Sequence, residues 1–126
     1  MSSPTECLFS DSHEWFRLDG DVVTIGISQF AANELTDITY VEMQPVGTAI
    51  GVGDSAGEVE SVKTTSDVMT AFAGEIIEIN EGVSDDPSLL NSDPFKSGWL
   101  LKLRVEDANA GDGLMDQATY DGKYPA

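Results

Sequence analysis

Short β-type runs closed by glycine-bearing turns follow one another at close spacing along this chain. After the Asp19-Gly20-Asp21 turn, Val22 to Ile27 sets Val23, Ile25 and Ile27 on one face of a strand. Asp37 to Met43, Thr48 to Asp54 and Glu75 to Ile79 read as further strands. Trp99 to Val105 is the clearest, with Trp99, Leu101, Leu103 and Val105 as its apolar face. Such a succession implies a mainly β fold, a sandwich or barrel with small helices added.

The pieces between the strands are small. Leu8 to Leu18 contributes apolar area through Phe9, Trp15, Phe16 and Leu18, interrupted by Ser10-Asp11-Ser12-His13-Glu14. Ser28 is placed to cap a helix across Gln29 to Leu35. Ser84 to Leu90 reads as a second capped helix, with Asp85 and Asp86 at its N-terminus, where negative charge is favoured. Asn91 to Phe95 reads as a turn-rich connection. The length of 126 residues suits one domain over 1–126 with one core, spanning about 8–106. The segment 107–126 is polar, and a short helix is expected in it around Leu114 to Tyr120, although each glycine there costs a helix about 1 kcal/mol against alanine. Gly47 to Asp54 and Gly74 to Gly82 echo each other, which predicts a folded-over pseudo-repeat with the intervening stretch between its halves.

Six basic residues face 23 acidic ones, for a formal net charge of −17. Phosphates would be repelled, so nucleic acid is excluded as a partner. An anionic membrane surface is disfavoured, and basic protein partners are favoured. Cys7 is the one cysteine, so neither an internal disulfide nor a paired-cysteine metal site can form. Met1 to Glu6 lacks the basic start and apolar run of a signal peptide, and no apolar run approaches membrane-spanning length. A cytoplasmic protein is expected, or the mature form of an organellar one.

Catalytic signals are weak. Gly57 to Thr64 nearly matches a phosphate-binding loop, but Val62 stands where the second glycine should be, and Glu58 and Glu60 would repel phosphate. His13 is the only histidine, there is no Gly-x-Ser-x-Gly elbow, and no spaced set of metal ligands is present. The simplest reading of His13 is a partly buried structural residue beside Trp15. The stretch Gly57 to Phe72 offers something else. Strand-like residues flank Lys63, and Thr64-Thr65-Ser66-Asp67 follow it, which puts Lys63 at or beside the tip of a hairpin, pointing outward. Such a lysine stays protonated and chemically idle as a base. Its use is as a handle to be acylated.

Ser12-His13-Glu14-Trp15, Ile25-Gly26-Ile27, Gly57 to Lys63 with Ser66-Asp67, Gly74-Glu75-Ile76, Leu90 to Pro94 and Gly98-Trp99 resemble the H protein family of the glycine cleavage system. The resemblance runs over nearly the whole chain in order and spacing. It implies a barrel-sandwich hybrid of the lipoyl/biotinyl type with short helices. It implies a carrier, not an enzyme, with lipoic acid in amide linkage on Lys63. The load would be the aminomethyl group of glycine. It would be taken from a pyridoxal-phosphate glycine decarboxylase and delivered to a tetrahydrofolate-dependent aminomethyltransferase. Dihydrolipoamide dehydrogenase would reoxidise the carrier, and a lipoyl ligase or transferase would attach the cofactor. Ser12, Glu14 and Asp67 match the polar residues of the family's cleft for the loaded arm. A monomer is expected.

Two departures stand out: Phe30-Ala31-Ala32 replaces the usual residues after Ile27, and Thr36 stands where glycine is usual before the acid at Asp37. The competing readings are a biotinyl domain, a lipoyl domain of a 2-oxoacid dehydrogenase, or a lipoate relay. Biotin acceptors usually have methionine on both sides of the lysine, whereas this chain has Val62 and Thr64. Dehydrogenase lipoyl domains usually read Asp-Lys-Ala. The lysine box does not exclude a relay.

Overall fold

A computed structural model describes residues 7–105 and 114–124. In chain order the elements are β1 (Cys7–Phe9), β2 (Glu14–Asp19), β3 (Val22–Ile27), α1 (Gln29–Leu35), β4 (Ile38–Met43), β5 (Ala49–Ile50), β6 (Ser55–Ser61), β7 (Thr65–Met69), β8 (Gly74–Ile79), α2 (Glu81–Asp85), α3 (Leu89–Ser92), β9 (Leu101–Val105) and α4 (Gln117–Lys123). The strands form a six-stranded sheet in the order β1-β2-β3-β9-β8-β5 and a three-stranded sheet in the order β4-β6-β7. All of these pairings are antiparallel.

The sheets share one core. Val23, Ile25, Ile76, Leu101 and Leu103 come from the large sheet, and Val41, Val59 and Val68 from the small one. Phe16 and Phe72 meet between them with ring centroids 5.5 Å apart. Each such side chain contributes about 1.5–3 kcal/mol by leaving water, which neither sheet could gain alone. A second cluster lies at the β1–β2 end, where Cys7, Phe9, Trp15, Phe95 and Tyr120 are buried together. Its presence explains why β3 is buried from Val23 through Ile27 and not on alternate residues. Gly26 faces Trp15 across the ladder, and a Cβ at Gly26 would stand 2.5 Å from the indole.

Local signals place the helices with mixed success. Ser28 caps α1, accepting from the Ala31 N–H. The helix expected across Ser84 to Leu90 is instead two helices. Asn80 caps α2 and α3 begins at Leu89, so Asp85 and Asp86 close α2 and do not open a helix. Pro87 is the reason: it lacks an N–H and forbids helical geometry to its predecessor. Asp86 accordingly adopts φ −137°, ψ 81°. Asn91 and Ser92, expected in a turn, end α3. The C-terminal helix lies three residues later than expected, at Gln117–Lys123, capped by Asp116 accepting from the Thr119 N–H at 2.8 Å. The rest of the polar segment, 106–113 and 125–126, falls outside the described residues, as does Met1 to Glu6.

Two strands also end differently. The strand-like sequence through Phe72 stops at Met69, where the Thr70 hydroxyl turns the chain by bonding both the Phe72 N–H and carbonyl. Trp99 is not on the β9 face. Asn80 Nδ2 donates to the carbonyls of Ser97 and Trp99 and bends the chain before the strand begins. Leu100 is buried in the main core, while Trp99 joins the second cluster. The echoing segments do meet: β5 pairs with β8, Ala49 opposite Glu75 and Ile50 opposite Gly74.

Thr36, the residue standing where glycine is usual, has φ 62°. A β-branched residue with left-handed φ stores about 1–3 kcal/mol, and glycine loses about 0.5–1 kcal/mol of that advantage to chain entropy. Thr36→Gly is therefore expected to stabilise the fold by about 1 kcal/mol. Urea unfolding checks this, and a lowered midpoint would show that the Thr36 hydroxyl bond to the Leu35 carbonyl outweighs the strain.

Candidate functional site

Strands β6 and β7 form the expected hairpin, and Val62-Lys63-Thr64 is its tip. Ser61 fixes the tip. Its hydroxyl oxygen accepts from the N–H of both Lys63 and Thr64 at 3.1 Å. The Val62 N–H donates to the Asp37 carbonyl at 3.1 Å, tying the tip to the approach to β4. Thr64 leads into a strand and not a helix, so the phosphate-loop reading lacks its essential element. The backbone of Lys63 is thus held while its side chain is exposed. Its Nζ donates to the Glu34 carbonyl at 3.4 Å, at the end of α1 where helix carbonyls carry partial negative charge. Asn91 braces that corner, donating to the Thr36 carbonyl at 2.6 Å and accepting from the Ile38 N–H at 3.1 Å.

The other end of β7 borders a cleft of about 430 Å³ lined by Ser10, Ser12, Glu14, Val52, Met69 and Thr70, among others. Glu14 is 2% exposed, a buried acid. Its Oε1 accepts from Ser10 Oγ at 2.6 Å and Ser12 Oγ at 2.5 Å, and its Oε2 from the Met69 N–H at 3.1 Å. Burial pushes the Glu14 carboxyl above the ordinary carboxylate range, and the bonds from Ser10, Ser12 and Met69 pull it part of the way back.

Of the residues singled out in the sequence, Ser12 and Glu14 are brought into contact. Asp67 stands outside the cleft wall, exposed on β7 and paired with Glu58. Alternate residues share a strand face, so Thr65, Asp67 and Met69 lie in a row from tip to cleft, about 13 Å long at ordinary strand rise. His13 is partly buried, as expected. Its Nδ1 lies 2.8 Å from the Tyr120 hydroxyl and its ring packs on Phe30 and Tyr124. Four contributors escaped the sequence reading: Ser10, the Met69 N–H, Asn91 and Tyr120. Ser10-x-Ser12-x-Glu14 held a local hint of the first, and nothing local points to the others. Among the described residues, no cluster of three or more His, Cys, Asp or Glu could hold a metal ion. No helix there is long and apolar enough to cross a membrane.

Comparison with known proteins gives a consistent result. The family model described as Glycine cleavage H-protein matches residues 7–124. The glycine cleavage system H protein of Phenylobacterium zucineum is 48% identical over 113 residues, covering 90% of this chain and 93% of that protein. Glycine cleavage system H protein 2, mitochondrial, of Arabidopsis thaliana is 42% identical over 112 residues, covering 89% of this chain and 72% of that protein. The crystal structure of a glycine cleavage system H protein from Mycobacterium marinum superposes with a TM-score of 0.87 at 32% identity, covering 96% of this chain and 98% of that one. The two-sheet arrangement is thus the barrel-sandwich hybrid that the sequence motifs implied.

The raised Glu14 carboxyl has a thermodynamic consequence. Between its ordinary unfolded value and its raised native one, the native state keeps a proton that the unfolded chain has lost. Stability therefore falls as pH rises through that window. Relative to Glu14→Gln, the native sequence is expected to lose stability with rising pH there. Paired urea titrations across mildly acidic pH measure the difference, and a gap that stays flat or moves the other way counts against it.

Proposed function

The chain belongs to the glycine cleavage H-protein family, and from that premise we propose that it is a non-catalytic lipoyl carrier with lipoic acid in amide linkage on Lys63. The observation that carries this reading is an exposed primary amine on a fixed hairpin tip, with a buried carboxylate at the other end of the same hairpin. The residues fit the group. Acylation of Nζ disturbs one long contact, to the Glu34 carbonyl, and the amide formed keeps an N–H to donate there. When bound, the lipoyl group supplies reactive sulfur that no exposed side chain here offers, since Cys7 is buried.

The carrier takes the aminomethyl group of glycine from a pyridoxal-phosphate glycine decarboxylase to a tetrahydrofolate-dependent aminomethyltransferase. Dihydrolipoamide dehydrogenase reoxidises it, and a lipoyl ligase or transferase attaches the cofactor. The chain's own part is mechanical and electrostatic. The Ser61 hydroxyl and the Asp37 carbonyl keep the tip in one geometry for each partner, and tethering raises the local concentration of the load at each active site. Glu14 has about four acceptor positions, of which Ser10, Ser12 and Met69 fill three. The fourth can take an ammonium by a charge-assisted hydrogen bond, out of reach of bulk water. Ser12 holds the carboxylate in place, and Asp67 adds a second negative charge along the row from tip to cleft. Residues 1–126 act as a single monomeric domain, in the cytoplasm or, for an organellar form, in the mitochondrial matrix.

Coexpression with a lipoyl ligase is expected to add one lipoyl mass to the native chain and none to Lys63→Ala. An adduct on the variant, or none on either protein, sinks the attachment site. Reconstituted glycine–bicarbonate exchange with the decarboxylase separates a glycine carrier from a lipoate relay, which would give no exchange. Glu14→Gln is expected to speed ammonia release from the loaded carrier roughly ten- to hundredfold, the worth of one charged hydrogen bond. Release at the native rate would remove Glu14 from the resting place.

A further inference from the structure

Tyr120 joins three parts of the fold through one hydroxyl. Its ring, 1% exposed, stacks on Phe9 with centroids 4.5 Å apart. Its Oη lies 2.6 Å from Ser28 Oγ, the cap of α1, and 2.8 Å from His13 Nδ1. Ser28 Oγ also accepts from the Ala31 N–H at 3.1 Å, so its hydrogen bond with the tyrosine hydroxyl ties Tyr120 to the cap of α1. The Tyr120–His13 hydrogen bond forms with a neutral imidazole in either tautomer, Nδ1 accepting the tyrosine proton or donating its own. Burial favours that form, lowering the His13 pKa against the pull of Glu34 and Asp11. Burial likewise keeps the Tyr120 hydroxyl protonated, its pKa pushed up to about 12.

His13 has φ 74°, a left-handed conformation that is unfavourable without external support. Its support comes from α1 and α4: the Tyr120 bond, Phe30 at 4.8 Å and Tyr124 at 4.7 Å between ring centroids. Its backbone is pinned as well, because the His13 carbonyl accepts from the Ser28 N–H at 2.9 Å. The residues on either side, Ser12 and Glu14, bond each other at the cleft. The histidine ring is therefore anchored on one side of this turn while its two neighbours form the wall on the other.

We propose that Tyr120 is a positioning residue for the cleft, holding His13 so that the Ser12–Glu14 wall keeps the geometry that receives an amine. Its bearing on the carrier cycle rests on the reading of that cleft as the resting place of the loaded arm. The C-terminal helix thereby sets how well the cleft shelters its load without touching it.

The test uses the full chain with Tyr120→Phe, which keeps the ring stack on Phe9 and removes the hydroxyl. The first readout is the titration of the Glu14 carboxyl by NMR in the unmodified protein. The second is ammonia release from the loaded lipoyl protein. The Glu14 pKa is expected to move back toward the ordinary carboxylate range as the wall loosens, and ammonia release to rise roughly two- to tenfold, the equivalent of one neutral hydrogen bond. His13→Gly, which adopts the left-handed backbone without strain but cuts the link, is expected to give both changes. An unchanged Glu14 titration in both variants overturns the positioning role, even where the melting temperature drops. A shifted titration with ammonia release at the native rate supports the positioning role and overturns the cleft as resting place.

Discussion

The bond from the Met69 N–H to the Glu14 carboxylate is the contact on which the arrangement of the site depends. Glu14 opens β2 in the large sheet, and Met69 closes β7 in the small one. Apolar packing between the sheets is strong but non-directional, and it would tolerate small sliding of one sheet on the other. A buried carboxylate does not. Taking it out of water is expensive unless donors meet it, and the donors here come from the β1–β2 turn of the large sheet and from β7 of the small one. Displacement of either sheet would leave a buried charge short of a partner, so the carboxylate registers one sheet against the other. The same bond makes the base of the Lys63 hairpin part of the cleft.

That coupling gives the hairpin two ends with opposite character. At the base, Val68 is buried and Met69 is bonded across the sheets. At the tip, the backbone is secured by Ser61 and Asp37 while Val62 and Lys63 face solvent. The N–H groups of Val62, Lys63 and Thr64 each have an acceptor, so the backbone of the tip is held while the Lys63 side chain stands in solvent. A group attached to that side chain would pivot about a held backbone.

Much of this was legible because it is local. A serine before an apolar run gave α1 to the residue, and small polar residues after strand-like sequence gave the hairpin. Pro87 was equally local, and its consequence for Asp86 follows from sterics alone. Trp99 shows the limit of alternation: the pattern continued past the point where Asn80 bends the backbone, and periodicity carries no record of a side-chain bond from another element. The burial of Glu14 was not legible, since its compensating donors include a backbone N–H 55 residues away. Tyr120 is farther still from His13, 107 residues along the chain. Its helix is short and contains Gly122, so propensity understates a segment that tertiary contact with Phe9 and His13 holds in place.

The small sheet also shows how little its outer face weighs in the fold. Glu42, Glu58 and Asp67 lie in one cross-strand row, all exposed, and like charges opposite each other are unfavourable. The cost is bounded because these carboxylates sit in water, where physiological salt screens them over about 8 Å. Beneath them Val41, Val59 and Val68 are buried, each at about 1.5–3 kcal/mol, against a few tenths to about 1 kcal/mol for each like-charge pair. The core therefore fixes the sheet and leaves its surface charge open to other demands. An acidic face leading to one exposed lysine sets a cation at the end of a negative surface. The fold can maintain that contrast because its stability lies on the other side of the strands.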